Sequence, residues 1–407
     1  MNKKLMAVAV AGAFGAFGAT AAFAQSSTVS LSGNINYNYG YFDNGGTGFT
    51  AGTTPVVAGV PKVRTDALSS QESQWVLKGE ENVGGGMSVF FQCSTSLDVS
   101  GSVTANMCAR TSFLGFKGSF GSINFGNNDT PTKRMAANYD PFPIAAAMGQ
   151  GGQMWNAGAN NTGNGGTPAS FSRRQQNLVT YDMPTMNGFD ASFSFTTANE
   201  ATAFNSASTI QKPRMWAASV NYSNGPLMLG AGYERHQDFN AAALGTYSGG
   251  NDSMYTLAAA YTFMGSLKIS GVYNRIAYNN MTNVLNAGGD MSLNTYGLYA
   301  DWAITGPHRL RLGYGNQGST RGSYNGLGAT ANAQVGTLTG NGGAGQTGTQ
   351  KFVVEYAYAL SKRTEVGLDF ATIRNDRFAN QTIGTGSNVP NYGETQNFTG
   401  MMVRHAF

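Results

Sequence analysis

The chain has 407 residues and a formal charge of +4, and it is 41% hydrophobic, 12% aromatic and only 11% charged. Soluble domains carry about 25% charged residues, so so little charge disfavours an ordinary soluble globule. Beyond the first residues no second apolar run approaches the ~20 residues of a helical span, which excludes a helical membrane protein, and the near-neutral balance gives no case for nucleic acid.

Met1 to Ala24 reads as a secretory signal. Lys3 and Lys4 supply the positive start, Leu5 to Gly18 the apolar stretch, and Ala22-Phe23-Ala24 the cleavage site, so the mature chain is expected to begin at Gln25. Its removal takes away two lysines and lowers the charge of +4 to +2. The domain organisation is then a signal peptide, 1–24, and a single further domain, 25–407.

Thr28 to Phe42 sets a template that recurs along the chain. Val29, Leu31, Ile35, Tyr37, Tyr39 and Tyr41 share one face, while Ser30, Ser32, Asn34, Asn36 and Asn38 share the other. The alternation returns at Met87–Phe91, Phe189–Phe195, Trp216–Tyr222, Leu227–Tyr233, Leu257–Phe263, Leu267–Tyr273, Tyr296–Trp302, Leu310–Tyr314, Val354–Leu360, Val366–Phe370 and Met401–Phe407. Blocks of about ten residues, apolar on one side and polar on the other, are the signature of a transmembrane antiparallel β-barrel with about 16 strands. Averaging a lipid face with a watery lumen also explains the middling hydropathy.

Short and long connections alternate. Glu80–Gly86, Gly118–Gly121, Pro184–Gly188, Ser223–Pro226, Met264–Ser266, Thr305–Pro307 and Leu360–Arg363 carry turn chemistry. Asp43–Ser69, Asn127–Arg173, Thr197–Pro213, Gln237–Asp252, Asn279–Asp290, Gln317–Gly348 and Asp376–Asn391 are polar and glycine-rich. The short set is expected on the periplasmic side and the long set outside.

The connection Asn127–Arg173 breaks the alternation for the greatest length within the strand region. Wide barrels enclose water, so this loop is expected to fold inward and narrow the bore. It contains Asp129, Lys133, Arg134, Asp140-Pro141-Phe142-Pro143 and Trp155.

The cysteines, Cys93 and Cys108, are expected in an oxidising compartment after export. A hairpin with Met87 opposite Leu114 would set 93 opposite 108 on the apolar face, which favours a disulfide over two buried thiols. Gly313-Tyr314-Gly315-Asn316-Gln317-Gly318 matches a dinucleotide fingerprint as text, but no helix pattern follows it, so it reads as a strand entering a loop. His236, His308 and His405 are scattered and have no zinc spacing. Neither a catalytic constellation, nor a metal, nor any other cofactor is expected.

Five segments resemble the trimeric, 16-stranded general-diffusion porins of Gram-negative outer membranes: Leu77–Met87 (LKGEENVGGGM), Gly115–Gly121 (GFKGSFG), Tyr181–Pro184 (YDMP), Tyr358–Thr364 (YALSKRT) and Val403–Phe407 (VRHAF). They occur in the family's order from signal to terminus. The resemblance implies an outer-membrane, water-filled channel for passive diffusion of ions and small hydrophilic solutes. It also implies a homotrimer, contact with outer-membrane lipid including lipopolysaccharide, and no enzymatic activity. Trimer contacts are expected at the first and last strands, where Gly33 would allow close packing.

In such porins acidic residues of the third loop face basic residues of the wall. Asp140 and Asp129 match the acidic side. Arg174 and Arg110 match wall arginines, although strict alternation gives Arg110 the parity of Leu114, so that its placement needs a bulge or a strand-end twist. Gln74, in Ser73-Gln74-Trp75, stands where the family often has arginine, which weakens the expected basic ladder. Lys78, Lys117, Arg309 and Arg311 have lumen parity and read as the solvated pore wall. A substrate-selective channel for sugars or small organic acids is the rival reading. Phe90, Phe113 and Tyr299 have lumen parity, too few to argue an aromatic track.

Overall fold

The computed structural model describes residues 27–45, 62–70, 72–97, 106–142, 171, 173–196, 214–237, 251–283, 286–319, 321–322, 346–377, 379, 381–383 and 393–407. The expected signal, 1–24, lies outside the described residues, as do most of the long connections, including 143–170 with Trp155.

A closed antiparallel barrel of 16 wall strands forms. They are β1 (Ser27–Asp43), β2 (Arg64–Ser70, continued by Gln74–Gly84), β3 (Met87–Ser96), β4 (Ser112–Gly118), β5 (Gly121–Asp129), β6 (Arg174–Asp182), β7 (Phe189–Thr196) and β8 (Arg214–Asn224). There follow β9 (Leu227–Gln237), β10 (Asn251–Phe263), β11 (Leu267–Asn283), β12 (Asn286–Thr305), β13 (His308–Gln317, continued by Arg321–Gly322), β14 (Thr349–Ala359), β15 (Thr364–Asn375) and β16 (Thr395–Ala406). Among the described residues one helix, α1 (Pro131–Ala137), lies between β5 and β6.

β16 pairs back onto β1 from Asn34↔Ala406 to Asp43↔Asn397, so no strand edge is left to meet lipid unpaired. Gly33 and Phe407 exchange both backbone hydrogen bonds at 2.9 Å and complete the seam. A Cβ on Gly33 would lie 2.5 Å from the Phe407 ring, so this glycine makes room for its own chain's terminal aromatic. Where β2 breaks, the Ser73 hydroxyl replaces the ladder, accepting from the Asn36 N–H at 2.9 Å and donating to the Asn36 carbonyl at 3.1 Å.

The alternation sorts as its chemistry requires. Val29, Leu31, Leu68, Leu257, Leu298 and Leu368 are all exposed on the outer face, whereas Asn36, Ser94, Thr180, Ser194, Asn274 and Thr295 are buried on the inner one. Aromatic pairs gather toward the rims, as in Tyr261–Phe263 and Phe189–Tyr222, with ring centroids 4.7 and 4.5 Å apart.

Two local expectations are corrected. Phe91 pairs with Leu114, so the β3–β4 register differs by four residues from the one that puts Met87 opposite Leu114. Tight turns after Gly84 and Gly118 hold both strands level at one rim, where Lys117 Nζ meets Glu80 Oε2 at 2.6 Å. An even shift keeps every side chain on its face, which is why alternation could not detect it. Cys93 therefore faces Ser112, and Cys108 returns from the coil in a left-handed conformation, φ 57°, to form the disulfide with a Cα–Cα distance of 4.7 Å. Second, Asn279–Asp290 is mostly strand, because β11 and β12 continue past a bulge with Met281 opposite Gly289 and Asn283 opposite Asn286.

Candidate functional site

The connection between β5 and β6, here L3, enters the barrel at its stem, where the Thr130 N–H donates to the Arg173 carbonyl at 2.9 Å. Thr130 has extended geometry and Pro131 opens the helix, a favoured arrangement because proline lacks only an N–H that would be unpaired there. The helix ends at Asn138, whose N–H returns to the Met135 carbonyl. Asp140 then accepts from the Phe142 N–H at 3.0 Å, an Asx turn that Pro141 pre-forms.

Depth follows from the partners. Arg134 of α1 donates to Asp182 Oδ1 at 2.6 Å, and Asp182 is the last residue of β6 before a short turn. Lys268 Nζ donates to the Asn138 carbonyl at 2.7 Å, and Lys268 is the second residue of β11 after the Met264–Ser266 turn. At roughly 3.4 Å per strand residue, L3 has descended to within about two residues of the short-turn rim. It then rises, so that Phe142 lies against Gly313 near the middle of β13.

The wall beneath L3 is shaped to receive it. Cβ atoms placed on Gly230 and Gly313 would come within 2.7 Å of the Tyr139 hydroxyl and 2.8 Å of Phe142 Cε2 respectively. Met135, Ala136, Tyr139 and Phe142 join Ala258, Ala260, Val272 and Tyr299 of the inner wall in one buried apolar cluster. Burial pushes the Tyr139 phenol up to about 12. Gly230, Gly232, Ala258 and Ala260, spaced by two at lumen parity, are a signal for this seat that was present in the sequence.

At the stem the charges pair closely. Asp129 is not carried by the loop: it closes β5 opposite Arg174, which opens β6. Its Oδ1 lies 3.1 Å from Arg174 Nε and 3.0 Å from Lys133 Nζ. Arg174 is buried, yet parity counted from Thr180 does not reach it, since the register shifts between Gly126 and Asn128 and Asn177 has φ 55°. Arg110 precedes β4 in the coil after left-handed Cys108, so strand parity does not govern it. It is ion-paired with Glu72, which also feels Lys133 and Arg174. Arg110, Arg174 and Asp129 are thus brought together, with Lys133 of the loop and with Glu72, which the sequence reading missed.

Behind α1 a second buried group holds the loop. Thr132 donates to Glu234, whose other oxygen meets His236 Nε2 at 2.9 Å, and Phe171 stacks on the His236 ring with centroids 4.2 Å apart. Asp140 is not among the ion-paired residues of the stem cluster, and it interacts electrostatically with Lys351 of β14.

The remaining wall residues separate by exposure. Gln74 lies between Asn34 and Ser96, Lys78 is exposed, and the Lys117–Glu80 pair is open to water. Arg309 Nε donates to Asp301 Oδ1 at 2.6 Å. Arg311 is buried and ion-paired with Glu355, with Glu365 at 3.4 Å, within a row Asp301–Arg311–Glu355–Asp369 that crosses four adjacent strands. Phe90 and Phe113 pack edge to face at 5.8 Å, and Tyr299 is covered by Phe142, so these three rings do not form one open track.

A second inward segment was not foreseen. Ala379 and Ile383, from the connection between β15 and β16 (L8), are fully buried, Ile383 in the same cluster as Phe42, Val353, Ala371, Ile373 and Phe398 of the inner wall. Phe42 and Phe398, 4.6 Å apart at lumen parity, were the available signal.

A family model described as Gram-negative porin matches residues 7–377. Outer membrane porin protein 32 of Delftia acidovorans is similar to this chain, 27% identical over 413 residues that span 100% of both. Among solved structures, the anion-selective porin from Comamonas acidovorans is similar with a TM-score of 0.70 at 22% identity, covering 94% of this chain and 100% of that one. The trimer form of OmpT of Vibrio cholerae is similar at TM-score 0.60 and 14% identity, covering 94% and 100%.

Proposed function

The chain belongs to the Gram-negative porin family and forms an outer-membrane channel for passive diffusion, and we propose that L3 sets the bore of that channel for ions and small hydrophilic solutes. The observation that carries this reading is the descent of L3 to Lys268 and Asp182 near the short-turn rim, since a segment lying that deep occupies lumen that would otherwise hold water. Single-channel recording in planar bilayers tests it. Excising most of Asn127–Arg173 should raise conductance several-fold, and an unchanged conductance in a folded, loop-excised protein would sink the assignment.

Within that bore, Asp140, Asp129, Arg110 and Arg174 are the proposed selectivity residues, with Gln74, Lys78, Lys117, Arg309 and Arg311 as pore wall. The Comamonas acidovorans relative is described as anion-selective. Weak ion preference is the reading for this chain, because Arg110, Arg134 and Arg174 each meet a carboxylate and position 74 is glutamine. Screening acts over about 8 Å at physiological salt, so charges near the constriction dominate. Under a salt gradient, Asp140→Asn should move the reversal potential toward anions and Arg174→Gln toward cations.

The assembly proposed is a homotrimer, supported by a trimeric neighbour, with subunit contacts toward β1 and β16 and lipid including lipopolysaccharide around the rest. Export through a signal peptide at 1–24 and the Cys93–Cys108 bridge in the native protein belong to the same reading. Sedimentation in detergent only as a monomer would count against the trimer.

A further inference from the structure

Lys351 is an ammonium on the inner wall that is only 2% exposed. A buried charge of this kind is costly unless its donors are satisfied, so its position needs a reason. Lys351 Nζ donates to the Ile383 carbonyl of L8 at 3.0 Å. The N–H of Ile383 donates in turn to Gln396 Oε1 of β16 at 2.7 Å, and Gln396 Nε2 donates to Asn44 Oδ1 at 2.6 Å. Both backbone polar groups of Ile383 are therefore held by the wall while its side chain is wholly buried.

L3 reaches the same place from the other side. Lys351 faces Gly315 across the β13–β14 ladder, and one row further Val353 faces Gly313, the glycine on which Phe142 is seated. Asp140, two residues before Phe142 and hydrogen-bonded to its N–H, interacts electrostatically with the Lys351 ammonium. Phe142, Val353, Ile373 and Ile383 belong to one apolar cluster, so these residues of the two segments share a floor as well as a cation. A lysine suits this junction because its three donors sit on a stem long enough to pass between apolar neighbours.

We propose that Lys351 is a positioning residue that fastens L3 and L8 to one point of the inner wall, so that the two segments jointly set the bore. The proposal rests on the channel reading given above and extends it: L8 becomes a second constricting element, and Lys351 acts on solutes through the loops it holds.

Single-channel recording of the full-length protein separates the possibilities. Lys351→Met removes the charge and the hold on Ile383, whereas Gln396→Leu removes a hold and no charge. Each should raise conductance roughly 1.5-fold or more and add rapid current fluctuation, and Lys351→Arg should restore most of the wild-type value. Because Gln396→Leu is neutral for neutral, a rise there reports loop position rather than pore charge, and it carries the test alone if Lys351→Met does not fold. Combining Asp140→Asn with Lys351→Met should give less than the sum of the two separate changes, since both act through one junction. Wild-type conductance and noise in folded Gln396→Leu, alongside a raised conductance on L3 excision, would overturn the proposal and leave the channel reading intact. Strict additivity in the double variant would overturn the coupling. A wild-type protein that conducts no ions would remove the channel reading and this proposal with it.

Discussion

Two regions of the inner wall, built from the same alternating strands, do different work. Under L3, the lumen-facing Gly230 and Gly232 of β9, Ala258 and Ala260 of β10 and Gly313 of β13 meet the apolar side chains of α1 and the residues after it. In one row across β12 to β15 the lumen-facing Asp301, Arg311, Glu355 and Asp369 instead pair laterally with one another. A barrel strand's outer face is constrained by lipid everywhere. Its inner face is constrained only by what touches it locally, so small residues mark a seat for a loop and alternating charges mark an interlocked wall. In the proposed function L3 narrows the lumen from the first region, while the second keeps its charges locked to the wall.

The largest effect that would break this contrast is expected at Arg311. Arg311→Met leaves Glu355 buried without its cation, and urea unfolding in detergent should show a loss of about 3–5 kcal/mol; a loss below 1 kcal/mol would mean that the row is solvated and not interlocked. Next comes a control that lies outside both regions. Cys93→Ser with Cys108→Ser should cost about 3 kcal/mol in the same assay, from closure of a short loop, while leaving conductance unchanged, which shows that lost stability alone does not widen the bore. Gly230→Leu attacks the seat. Crowding against Tyr139 and Met135 should cost about 1–3 kcal/mol and, unlike the disulfide variant, raise single-channel conductance; normal conductance would show that the seat does not position L3. The smallest change is expected at Lys117→Met. Its pair with Glu80 is open to water on both sides, so stability should move by less than about 1 kcal/mol, and a larger shift would place this pair with the buried row.

The sequence determined by itself whatever depends on local period and local turn chemistry. Period-two alternation identified the walls and their facing, the glycine and proline turns identified which rim was short, and the long break at Asn127–Arg173 identified the inward loop. It also paired Cys93 with Cys108, though in a register four residues away from the one that forms, because both registers put the same side chains on the same face. Only the tertiary structure decided which lumen positions touch which. Asp129 meets Arg174 because two strand ends lie side by side, and Arg110 meets Glu72 because a left-handed turn and a strand break bring two connections together. Asp140 and Lys351 are neighbours because L3 descends and rises again inside the barrel, and Ile383 is covered because L8 turns inward over Phe42 and Phe398. These contacts join residues far apart in the chain across a water-filled space. No periodicity records them: alternation specifies a side of the sheet, and the lumen has one side shared by every strand.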